Sequence, residues 1–139
     1  MSDESFVTDH DLKTIDSLLR INEANIQHEL ASVASYYFHY SNLAVEAELY
    51  AEKLELTLST VETKVARAVK SGNTKGEAKE ADIKRACRED EEWLAEQDKL
   101  LNMQRSAKIL SKIAIAFDMK SKMLMSLNRR DLHKTENHL

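Results

Sequence analysis

Proline is absent from the chain, and glycine occurs only at Gly72 and Gly76. Without these breakers, in a composition rich in Ala, Leu, Glu and Lys, the backbone has little alternative to helix, and an all-α fold is expected. The single cysteine, Cys87, has no partner for an intramolecular disulfide, which agrees with a reducing compartment. No histidine and acid stand near it at a useful spacing, so it reads as a small packed residue rather than a nucleophile. Aromatic residues make up only 6%, and a core built mainly from Ala and Leu is thin. Extended helices with thin cores complete their burial by oligomerising, so a homo-oligomer is expected.

No apolar run approaches the ~18 residues that span a bilayer, and the acidic start from Met1 to Phe6 has neither the basic nor the apolar region of a secretory signal. A soluble, cytoplasmic protein without a membrane partner is expected. Chemical motifs are missing too. Ser71 to Gly76 lacks the order of a phosphate-binding P-loop. His10, His28, His39, His133 and His138 are scattered, without a His/Glu helical pair suited to a metal. The carboxylates Glu46, Glu48, Glu52 and Glu55 read as a solvated face. No enzyme, no cofactor and no metal site is expected.

What the chain does have is a seam. Steps of four and three from Ile26 meet Leu30, Val33, Tyr37, Tyr40, Ala44, Ala47, Ala51, Leu54, Leu58, Val61, Val65 and Ala68 without a polar interruption. That spacing predicts one helix over about 26–70, roughly 65 Å long at ~1.5 Å per residue, too long to be buried without an equally long neighbour. The neighbour is the C-terminal stretch, about 91–130, where Trp93, Leu100, Met103, Ala107, Leu110, Ala114, Phe117 and Leu124 repeat the same spacing. A short leading helix over about 8–21 starts at a Thr8 cap and carries Leu12, Ile15, Leu18 and Leu19. Asn22 to Asn25 reads as a bend, and 71–88 as a loop with a second short helix. The whole chain, 1–139, forms one domain, an elongated antiparallel helical hairpin with short extra helices, assembling into a homo-oligomeric ring or bundle.

Two features bear on partners. Around Ile109 to Leu127 nearly half the circumference of the last helix is apolar, more than one partner helix covers. Ile109, Leu110, Ile113, Phe117, Met123, Leu124 and Leu127 are therefore the expected oligomer interface. The aromatic cluster Tyr36, Tyr37, Phe38 and Tyr40 has two readings, a base-stacking platform or core packing.

Charge is the second feature. The net charge of −4 hides a segregation. Between Met1 and Thr63 the cations are Lys13, Arg20 and Lys53 against twelve carboxylates, whereas Lys99 to Lys134 holds nine cations against Asp118 and Asp131. At the reversal of the hairpin Lys64, Arg67, Lys70 and Lys75 occur with no acid between them, and Lys84, Arg85 and Arg88 follow. Residues three apart share a stripe. Two explanations stay open: cations complementing a helix C-terminus, or a phosphate-tracking patch for nucleic acid built from Lys64, Arg67, Lys70, Lys75, Arg85 and Arg88. Arg105, Lys108 and Lys112 form another basic row, which antiparallel packing sets against Glu46, Glu48, Glu52 or Glu55.

The layout of short helix, long helix ending in Val61-Glu-Thr-Lys-Val-Ala-Arg-Ala-Val-Lys-Ser-Gly, polar insert, short helix and long C-terminal helix resembles UvsY, the recombination mediators of tailed phages. The likeness covers nearly the whole chain and lies more in spacing than in identity. Lys64 matches the lysine of that family's Val-x-x-Lys-x-Arg motif, Arg67 stands one position later than its arginine, and Val69 and Lys70 replace an aromatic pair. The resemblance implies a non-enzymatic helper of DNA recombination, repair and replication. Such proteins bind single-stranded DNA as a ring and load a RecA-like recombinase onto DNA covered by single-strand-binding protein. Without the resemblance, a structural or adaptor helical bundle that ignores nucleic acid accounts for the same features, as does, more remotely, an acidic inhibitor that mimics DNA.

Overall fold

The computed structural model of the chain describes residue 7 and residues 9–72 and 79–137. These form α1 (Asp9–Leu19), a 3-10 turn (Glu23–Asn25), α2 (Ile26–Gly72), α3 (Glu80–Glu89) and α4 (Glu91–Asn137), with no strand among the described residues. The all-α expectation is met. Ser71 and Gly72, expected in the loop, carry the last turn of α2, and α4 runs on past Arg130. Thr8, Lys75, Gly76 and His138 lie outside the described residues. None of the helices is long and apolar enough to cross a membrane, among the described residues.

The termini follow from local chemistry. Asn22 accepts the Ala24 N–H at 3.1 Å and so caps the 3-10 turn, giving the expected bend a physical cause. Asp90 is a one-residue joint. Its N–H donates to Cys87 O at the end of α3, at 3.1 Å, and its carboxylate accepts the Trp93 N–H at the start of α4, at 2.9 Å. Across the hydroxyl-rich stretch of α2, Thr57, Thr60 and Thr63 donate to the carbonyls of Lys53, Leu56 and Ser59, so these side chains take partners from their own helix without interrupting it.

The described chain divides into two units. In the first, residues 47–105, α2 and α4 run antiparallel: the Trp93 indole donates to Glu62 at 3.1 Å and Gln104 to Glu55 at 3.4 Å. Val61, Val65 and Cys87 form its buried cluster, with Ile83, Ala86, Val69 and Trp93 packed around it. The second unit comprises α1, the turn, α2 up to Glu46 and α4 from Ser106. Here too α2 and α4 are antiparallel, with Gln27 bonded to Asn128 and Tyr36 against Phe117. Its core is Ile15, Ile26, Val33, Ile113, Phe117 and Leu124.

The seam is realised with two shifts. Tyr37 is exposed, and it is Tyr36 that turns inward. Likewise Ala68 is exposed while Val69 packs against the core. From Val33 and from Val65 either a three- or a four-residue step lands on an acceptable side chain, so the pattern alone does not choose. The neighbouring side chains decide: Tyr36 stacks on the Phe117 ring, and Val69 packs against Val61, Val65 and Cys87.

Candidate nucleic-acid interface

Lys64, Arg67 and Lys70 lie on the last turns of α2, all exposed, Lys64 flanking the buried Val61 and Val65 and Arg67 and Lys70 on the side away from them. Steps of three turn the side chain by about 60° each, so the three cations follow one oblique stripe. Lys64 Nζ is 3.8 Å from Glu92 Oε1, with both side chains more than half exposed, which makes this a solvent-screened pair. Arg67 and Lys70 have no carboxylate within 4.0 Å among the described residues, and neither do Arg85 and Arg88 on α3. Lys84 is held by Glu80, one turn back, at 3.6 Å. Of the expected positive residues, Lys75 lies outside the described ones.

Two of the α3 cations, Lys84 and Arg88, border a cavity of about 390 Å³ whose other lining residues are Glu62, Glu80, Ile83, Cys87 and Trp93. By its spacing Trp93 is a seam residue. It stands beside Glu92, the partner of Lys64, and lines the same cavity as Arg88, so among the described residues it is the one aromatic group near both sets of cations. Its uniqueness in the sequence was the available signal. Cys87 forms part of the floor. Burial, with the Glu62 and Asp90 carboxylates adding to it, pushes its thiol above the usual range. Alkylation by iodoacetamide at pH 8 is expected to proceed at least about tenfold more slowly in the folded chain than in urea, because the reagent needs an exposed thiolate. Equal rates would place the thiol at the surface.

Three further expectations change. The stripe set aside for sister copies is core: Leu110, Ile113, Phe117 and Leu124 are buried, and Ile109 and Leu127 pack against the same cluster. The second partner that the wide stripe needs is α1, whose Ile15, Leu18 and Leu19 cover it together with α2. Of the seven residues only Met123 is largely exposed, at 56%. The aromatic cluster is divided the same way. Tyr36 and Tyr40 stack on Phe117 with ring centroids 5.4 Å away in each case, while Tyr37 and Phe38 face outward. Burial, with Asp11 and Tyr36 contributing, raises the Tyr40 phenol above its ordinary range. Nor does the basic row on α4 meet the acids of α2: among the described residues no ion pair joins Arg105, Lys108 or Lys112 to Glu46, Glu48, Glu52 or Glu55, and the contact there is Gln104 with Glu55.

No family model, curated protein or solved structure matches the chain. The functional reading therefore rests on the residues themselves. Among those described, no three His, Cys, Asp or Glu side chains are grouped so as to hold a metal ion.

Proposed function

We propose that the protein is a non-enzymatic binder of single-stranded DNA that works as a homo-oligomer built on an extended helical hairpin, and that helps a RecA-like recombinase displace single-strand-binding protein. The observation that carries this reading is the exposed stripe Lys64, Arg67 and Lys70, two of whose three cations have no acid partner among the described residues. Helix-end cations that merely complement a dipole need neither a row about two turns long nor a second group at Arg85 and Arg88. The mediator role comes from the likeness to the UvsY family, whose basic pair matches Lys64 directly and Arg67 with a one-position shift. Several copies repeat the stripe, and multivalency converts a weak patch into useful affinity.

Filter binding of a labelled oligonucleotide across a salt series tests this. The full chain is expected to bind with a log–log salt slope that reports its phosphate contacts, at about −0.7 per contact on a single strand. Replacing Lys64, Arg67 and Lys70 together by alanine should flatten that slope by about 2 and weaken binding roughly a hundredfold or more at low salt. Emission from Trp93, the sole tryptophan, should change on binding, since Arg88 lines its cavity. An oligomer that retains no DNA at low salt, or whose salt slope ignores the triple substitution, would support the adaptor-bundle reading instead.

A further inference from the structure

The cavity of the first unit is walled by three helices, and each supplies a different chemistry. α3 turns one face to it: Ile83 and Cys87 are four apart, as are Glu80, Lys84 and Arg88, which sets an apolar row beside a polar one. α2 adds Glu62, and α4 adds Trp93. The walls are tied to one another. Asp90 accepts the Trp93 backbone N–H and donates its own N–H to Cys87 O, while the Trp93 indole N–H donates to Glu62 Oε1 at 3.1 Å. The indole is thus held in place before any ligand arrives. At about 390 Å³ the space falls within the ~300–1,000 Å³ of small-molecule sites.

The charges left uncompensated there select the ligand. Lys84 is taken by Glu80 at 3.6 Å. Arg88 has no carboxylate within 4.0 Å among the described residues, and Glu62 has no cation; its bond to the neutral indole leaves most acceptor positions of the carboxylate open. A complementary group brings an apolar or flat body to Trp93, Ile83 and Cys87, a hydrogen-bond donor to Glu62 and an anion to Arg88. An aliphatic side chain of a partner protein brings only the first, and would desolvate both charges without pairing them. A nucleotide brings all three. We propose that the cavity takes one splayed-out base of a bound single strand, stacked on Trp93, with its exocyclic amino group donating to Glu62 and its phosphate on Arg88. Adenine, cytosine and guanine carry such an amino group. Thymine has none, and its N3–H lies between two carbonyl oxygens that a carboxylate repels. The inference rests on the single-strand reading of the function, and adds to it a base preference that phosphate contacts cannot supply.

Filter binding of the full chain to three strands of one length decides it: oligothymidylate, the same strand with one central 5-methyl-dC, and a strand of abasic residues. The substituted residue keeps the methyl group of dT and exchanges a carbonyl oxygen for an amino group. It is expected to tighten binding about tenfold, the worth of one hydrogen bond to a charged group. Trp93 emission should fall with both base-bearing strands and stay unchanged with the abasic one. Glu62→Gln should erase the preference and leave the oligothymidylate affinity within about twofold, because an amide also donates to the thymine carbonyl while still accepting the indole N–H. Arg88→Met should keep the preference but weaken both strands severalfold and flatten the salt slope by about 0.7. Both positions are exposed, so circular dichroism should stay that of the parent. Retention of all three strands with equal affinity for the two base-bearing ones, a preference that survives Glu62→Gln, or the same Trp93 response to the abasic strand would overturn the base pocket and leave the single-strand reading standing. A parent that retains none of the strands would overturn both.

Discussion

Phe117→Ala is expected to lower unfolding stability by about 4 kcal/mol, the largest loss from any single truncation in the chain. Phe117 is fully buried in the second unit, with Tyr36 and Tyr40 both stacked on its ring, the latter at an interplanar angle of 7°. Truncating a buried phenylalanine costs about 3–5 kcal/mol through lost transfer energy and the cavity left behind. Each aromatic pair adds roughly 0.5–1.5 kcal/mol, which places this site toward the upper end of that range. Against a typical stability of about 5–15 kcal/mol, the change consumes much of the margin. Urea titration at one protein concentration should show the midpoint falling with little change in slope. Phe117→Leu, which keeps most of the volume, should cost only about 1–1.5 kcal/mol. A loss under about 1 kcal/mol for the alanine variant would mean that the two tyrosines do not enclose the ring as described.

How much of this was legible beforehand can be judged residue by residue. The α2 and α4 seams were, because a four-three repeat over many turns is a strong periodic signal, and Ala44 to Val65 are buried as expected. The choice between Tyr36 and Tyr37 was not, since neighbours of one type look alike to any periodic count. More consequential was the apolar width of α4. Its breadth correctly signalled two partners, but periodicity does not say whether the second partner belongs to the same chain. The leading helix carries Ile15, Leu18 and Leu19, and in the fold these dock on the stripe expected to be the oligomer interface. In the positive stripe, Lys64, Arg67 and Lys70 were legible from spacing alone, whereas Trp93 was not: what matters about it is a cavity formed by residues up to 31 positions away.

The least legible residue carries the second large effect. Lys120 follows Ile113 and Phe117 and precedes Leu124 at four-three-four spacing, and a lysine at such a position usually snorkels to water. Here it is buried. Its Nζ donates to Leu18 O at 2.6 Å and to Arg20 O at 3.2 Å, and pairs with Glu29 Oε1 at 3.4 Å. Those carbonyls belong to the open C-terminal end of α1, where a helix leaves acceptors unpaired and its dipole is negative. Glu29 in turn accepts the Asn22 N–H at 3.2 Å, so one ammonium fastens α1, the bend and the first turns of α2 to α4. Lys120→Met preserves the stem but strands a mostly buried carboxylate and two carbonyls, a change that costs about 3–5 kcal/mol for a broken buried pair. Adding Glu29→Gln should give back part of that loss, since the charge left without a partner is then gone. The coupling between the two sites is expected at about 1–3 kcal/mol in a double-mutant cycle. Hydrogen exchange gives the spatial readout: amides of α1 and of the bend lose protection in Lys120→Met, while those around Val61 and Val65 keep theirs. Additive costs with uniform protection would mean that α1 is held by Ile15, Leu18 and Leu19 alone, and that the lysine is a passenger in the core.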